Sequence, residues 1–310
     1  MLSRTASELY WMARYLERAE NTARMMDVAF TVSMMPNNNV AQEELSAQLK
    51  ISGNYDLFRS KYDEINTHNV MHFFSLDESN PSSIYNCITY ARDNAKSVRG
   101  KISSETWEAI NVSWIELQAI KKKGKIWEVN AFFDWVKERS HVFRGSVYST
   151  GLRNDAFRFI RLGTFLERAG NTARILDVKN QIVRQDQETE TIEYYRWNAV
   201  LKSLGAYEAY REIYGDKITP EHVAQLLILR EEVPRSIRAC LEAISEILSG
   251  IEGLVGKVPK RLAAVQYARV KYGDSHHIFE ETGLHEYLTD FLNRINAIAD
   301  SIHFAYMEAV

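Results

Sequence analysis

The chain carries the same amphipathic stretch twice, and that repetition restricts its possible folds more than any other feature. Residues 16–28 read LERAENTARMMDV and residues 166–178 read LERAGNTARILDV, identical at ten of thirteen positions. Glu17, Arg18, Asn21, Arg24 and Asp27 thus recur 150 residues downstream as Glu167, Arg168, Asn171, Arg174 and Asp177. Two further blocks follow in the same order. Leu49, Lys50, Gly53, Tyr55, Arg59 and Tyr62 return as Leu201, Lys202, Gly205, Tyr207, Arg211 and Tyr214, and Pro81, Ser83, Ile84 and Cys87 as Pro234, Ser236, Ile237 and Cys240. Three ordered blocks with a slowly drifting offset describe a tandem duplication with small loop insertions. A unit of about 150 residues is a whole helical bundle rather than one stacking element of a solenoid. The expected organisation is two fused bundles, residues 1–150 and 151–310, packed about a pseudo-two-fold axis by analogy with isologous dimers.

The fold class expected is all-α. Five prolines and fourteen glycines in 310 residues are few for a turn-rich β architecture. Helices are expected over about 7–33, 41–65 with Gly53 as a possible bend, 81–98, from Ser104, over 128–142, from near Asp155, from Thr219-Pro220-Glu221, and over 284–306. Met35-Pro36 and the asparagines after it should stop the first helix, while residues 250–259 and 273–283 read as loops. Cys87 and Cys240 occupy equivalent places, each expected on a helix with a proline in its first turn, and read as small, buried, inert residues.

Net charge is −3, with no basic excess of the kind nucleic acid requires; the run Lys121–Lys123 with Lys125 reads as a cationic helix end. No stretch reaches about 18 consecutive apolar residues, and the N-terminus lacks the apolar core of a signal peptide, so a cytoplasmic protein without a membrane span is expected.

At about 100° per residue, Leu9, Met12, Leu16, Ala19, Ala23, Met26 and Phe30 gather on one side of the first helix as its core face. Arg14, Glu17, Arg18, Asn21 and Arg24 form a polar ridge on the other. Exposed polar positions drift freely, yet Glu17, Arg18, Asn21 and Arg24 are unchanged in their partners. Two explanations stand side by side: a buried network between helices, or a ligand site. Arg92, Lys96 and Arg99 share one helical side and form a candidate anion-binding wall next to the helix start at Glu105. A di-iron centre needs two Glu-x-x-His motifs; only Glu138–His141 occurs, and His68, His72, His276 and His277 lack matching carboxylates, so no metal and no cofactor is expected. Phosphate-loop, nucleophile-elbow and Cys/His nucleophile patterns are absent from the sequence.

Three strings together, ELYWMARYLERAENTARMMDV, ARDNAKSVRGKISSETWEAIN and residues 139–178, resemble the bacterial alpha-E domain family, all-helical proteins with a repeated Glu-Arg motif. By that resemblance the motif residues are Glu17, Arg18, Asn21, Arg24, Arg92, Asn94, Arg99, Glu105, His141, Arg144, Glu167, Arg168, Asn171 and Arg174. Gly170 stands where the family often has an acid, so that position should carry no essential charge. The resemblance further implies work beside a circularly permuted ATP-grasp ligase, and in some cases a transglutaminase-like protein, on a peptide or amino-acid substrate. Three readings follow. The chain is a non-catalytic subunit binding the ligase or an anionic substrate through the ridge; or an enzyme with Glu17 or Glu167 as general base and the arginines neutralising an anion; or a structural scaffold.

Overall fold

The computed structural model describes residues 1–34, 38–123, 129–185, 190–251 and 256–308. Among these the chain is all-α, without a strand. The helices are α1 (Ser3–Ser33), α2 (Asn38–Ile51), α3 (Tyr55–Arg59), α4 (Thr67–Ser75), α5 (Ile84–Ser97), α6 (Ser104–Lys122) and α7 (Val129–Thr150). There follow α8 (Asp155–Gln185), α9 (Glu190–Ser203), α10 (Tyr207–Tyr214), α11 (Pro220–Leu229), α12 (Ile237–Gly250), α13 (Lys257–Lys271) and α14 (Leu284–Tyr306). The chain forms two compact units, residues 1–164 and 165–310, and the division falls inside α8.

In the first unit α1 is the central element, packed by α2, α4, α5 and α7. That enclosure buries it on several sides, with Leu9, Met12, Ala13, Ala23, Met26 and Ala29 fully inside. In the second unit α12 packs on α11 and α13, and α13 on α14, around Leu227, Ile237, Leu241, Ile244 and Leu288. Cys87 and Cys240 are both fully buried and neither is in a disulfide.

Matching local geometry recurs in the two units. Gly53 and Gly205 both take positive φ (69° and 60°), the left-handed conformation that glycine adopts without a Cβ penalty. Each closes its helix the same way: Gly53 N donates to Lys50 O and Asn54 N to Leu49 O, as Gly205 N does to Lys202 O and Ala206 N to Leu201 O. Ser83 and Ser236 cap α5 and α12, their hydroxyls accepting from Asn86 N (3.2 Å) and Ala239 N (3.0 Å).

Several helix limits differ from expectation. Gly53 ends α2 outright instead of bending one helix through to residue 65, because its left-handed backbone terminates the hydrogen-bond ladder. Pro81 and Pro234 precede the serine caps and lie outside the helices, so the first-turn proline is corrected to a serine cap. Helix α7 continues to Thr150; it stops at Gly151, and Asn154 Oδ1 then accepts from Ala156 N (2.9 Å) to open α8. Lys257–Pro259 belong to the first turn of α13, where proline loses no hydrogen bond, and His277–Thr282 form a wide π-type turn. The short helices α4 and α10 were not anticipated. The expected stop at residues 35–37, the end of the lysine run at 124–125 and the centre of the 250–259 loop lie outside the described residues.

Candidate functional site

The polar ridge of α1 is not a solvent face. Glu17 is 2% exposed and Glu20 0%, with Asn21 and Thr22 also buried. The cause is α7, which lies along α1 and supplies side chains at the 3–4 residue spacing of one helical stripe: Lys137, Ser140, His141 and Arg144. Lys137 Nζ donates to Asp27 Oδ2 at 2.9 Å and sits 2.7 Å from Asp134 Oδ1. Ser140 Oγ donates to the Leu16 carbonyl (3.4 Å), and Arg144 reaches Glu17 and Glu20. Lys137 pairs with Asp27, His141 lies by Arg24 and Glu20, and Arg144 pairs with Glu20 and Glu17, so these side-chain partners on α1 descend in number as those on α7 rise and the two helices run antiparallel. Burial pushes the Lys137 amine down, but the hydrogen bonds it donates to Asp134 and Asp27 outweigh that and hold the group above its ordinary value.

Glu20 is the hub. Its Oε1 accepts from Arg24 Nε at 2.9 Å, one turn along the same helix. Its Oε2 accepts from Arg144 Nη1, which also lies 3.3 Å from Glu17 Oε2. His141 Nε2 stands 3.4 Å from Arg24 Nη2 and 3.8 Å from Glu20 Oε1. Two buried carboxylates are thereby balanced by two guanidinium groups whose side chains are 19% (Arg24) and 22% (Arg144) exposed, beside a His141 that is 57% exposed. Charges so desolvated persist only when paired and hydrogen-bonded, as these are. The first-unit counterpart of Gly170, Glu20, is the most enclosed acid of the network.

In the second unit Glu167, Arg168 and Asn171 are buried and Arg174 is half-buried. Arg168 Nη1 lies 3.5 Å from the Pro234 carbonyl, and Thr172 Oγ1 donates to the Arg235 carbonyl (2.8 Å), which ties α8 to the segment leading into α12. Arg18 and Arg168 each lie over an aromatic ring three residues earlier, Tyr15 (5.9 Å) and Phe165 (5.5 Å). Where Glu20 stands in α1, α8 has Gly170, and a Cβ there would lie 3.2 Å from Arg174 Nη1, so the guanidinium covers the vacant position. Asp177 meets His285 of α14 (Nδ1, 2.5 Å) as Asp27 meets Lys137 of α7. Glu20, the acid at the centre of the first-unit cluster, is replaced by Gly170 in the second unit.

The proposed wall on α5 points elsewhere. Arg92 lies over the Trp114 ring (4.4 Å) and donates to Asn111 Oδ1 (3.3 Å), and Arg99 lies over Trp107 (5.7 Å), so both engage α6. Lys96 and Glu105 are exposed. Asn94 does face α1, its amide nitrogen donating to Glu8 Oε2 (2.8 Å). His141 and Arg144, placed in the motif by resemblance alone, join Glu17 and Arg24 in one cluster; Glu20, Lys137 and Ser140 were missed. The available signal was the Lys137–Arg144 stripe, with residues at 137, 140, 141 and 144 able to share one side of a helix.

Among the described residues no group of three or more His, Cys, Asp or Glu is placed to hold a metal ion, and no helix is long and apolar enough to cross a membrane.

Comparison with known proteins matches residues 1–307 to the Alpha-E family model, described as a predicted alpha-helical domain with a conserved ER motif. Uncharacterized proteins of Mycobacterium bovis and Mycobacterium tuberculosis are 24% identical over 320 residues, an alignment that takes in 95% of this chain. The chain spans 35% of the length of these curated relatives. No solved structure matches it significantly.

Proposed function

We propose, from the premise that this chain belongs to the Alpha-E family, that it is a helical binding component of a peptide- or amide-forming system. In this reading it works with an ATP-grasp ligase, in a system that also takes in a transglutaminase-like protein. Its Glu, Arg and Asn residues bind an anionic peptide or amino-acid substrate, or the ligase itself. The observation that carries the reading is the first-unit cluster, in which paired buried acids hold Arg24 and Arg144 at a half-open edge beside His141. Such an arrangement pre-orients cations for recognition. That the matched relatives carry this segment within chains nearly three times as long is in keeping with a component rather than a complete machine. The matched glycine turns and serine caps support descent of the two units from one duplicated bundle.

The test is co-purification of the full chain with the ATP-grasp ligase of the same cell. The expected result is a stable complex with raised ligase turnover, and no amide-forming reaction by the chain alone. Turnover by the isolated chain that disappears in Glu17→Gln or Glu167→Gln would instead establish an enzyme with a glutamate base. A scaffold reading is favoured by the mutual pairing of Glu17, Glu20, Arg24 and Arg144, and predicts that the same substitutions change stability and nothing else.

A further inference from the structure

The inner edges of Arg24 and Arg144 are engaged by Glu20 and Glu17, but their outer edges are not. Arg24 uses Nε and Nη2, and Arg144 uses Nη1; among the described residues Arg24 Nη1 and Arg144 Nε and Nη2 have no protein acceptor. Both guanidinium groups converge on the two oxygens of one carboxylate, so their outer donors lie close together at the solvent edge marked by His141. Forked N–H donors on two adjacent guanidinium groups suit a planar carboxylate, taken by parallel hydrogen bonds. Arg24 and Arg144 are about one fifth exposed and His141 beside them is 57% exposed, so a carboxylate carried on a polypeptide can reach the arginine edges from the surface.

We infer that Arg24 and Arg144 form a carboxylate-binding site in the first unit, held in place by Glu20, and that its ligand is an acidic group of a partner polypeptide. This rests on the binding-component reading and assigns the site and ligand class within it. The second unit supplies the contrast, since Gly170 stands where Glu20 stands in the first.

The experiment is calorimetric titration of the full chain with a short glutamate-containing peptide bearing a free C-terminal carboxylate, against the same peptide with glutamine and a C-terminal amide. The expected result is saturable binding of the acidic peptide, weaker by roughly tenfold or more for the amide form. The double variant E20G/R144L should keep the helical circular dichroism of the parent and lose binding to a similar degree. Should that variant not fold, Arg24→Gln, which leaves Arg144 on both glutamates, carries the same expectation. Equal binding of the amide peptide, or undiminished binding by the folded variants, overturns the site. Ligase co-purification that persists in those variants would overturn this assignment alone and leave the broader reading standing.

Discussion

Arg144 stands between two carboxylates that have almost no contact with water, and the energetics of the first unit turn on that position. Arg144→Ala strips Glu17 and Glu20 of a shared partner and leaves them buried, a change expected to lower stability by roughly 3 kcal/mol, the lower end for breaking a buried pair because Arg144 is partly solvated. Removing the acid as well should recover much of that loss. Urea unfolding of Arg144→Ala, Glu20→Gly and the double variant should give a coupling of about 1–3 kcal/mol; strictly additive losses would show that the pair is not a unit. The repetition of Glu17, Arg18, Asn21 and Arg24 made this neighbourhood legible in the sequence. Glu20 was not, because identity between the copies is a poor guide to a residue that only one copy uses. Its partner sits 124 residues away on α7, and no local pattern links the two.

At the scale of the helix, the first turns of α8 meet α1 without a side chain between them. A Cβ added to Gly163 would approach the Tyr10 carbonyl oxygen to under 3.0 Å and the Ala13 Cβ to 3.3 Å. Gly163→Ala is expected to force the two backbones apart and cost about 2 kcal/mol, although alanine is the better helix former; a raised melting temperature would contradict the close approach. Helix positions were largely readable from periodicity and punctuation, and α14 fell on its expected limits. The short helices α4 and α10 escaped because nine and eight residues give too few turns to set a period. The ridge of α1 was read as facing away from the core, since helical spacing names a side without naming its neighbour. Here the far side of α1 meets α7, and the polar stripe is enclosed between them.

For the whole molecule, the two units are each compact, and each holds one fully buried cysteine, Cys87 in the first and Cys240 in the second. The thiols are built-in reporters of local opening. Both should resist a thiol reagent in the native protein, and Arg144→Ala should speed labelling at Cys87 by tenfold or more, in line with roughly 1.4 kcal/mol for each factor of ten, while changing Cys240 less. Equal acceleration at both sites, read by mass spectrometry of the labelled peptides, would show that the loss spreads through the entire chain. The guanidinium of Arg174 resting over Gly170 also bears on the paths by which such a chain can change. An acid introduced at residue 170 would arrive beside a guanidinium already resting there, the same one-turn neighbour that Arg24 is to Glu20. A history, or a designer, seeking to equip the second half like the first would find the cation in place and only the anion to add.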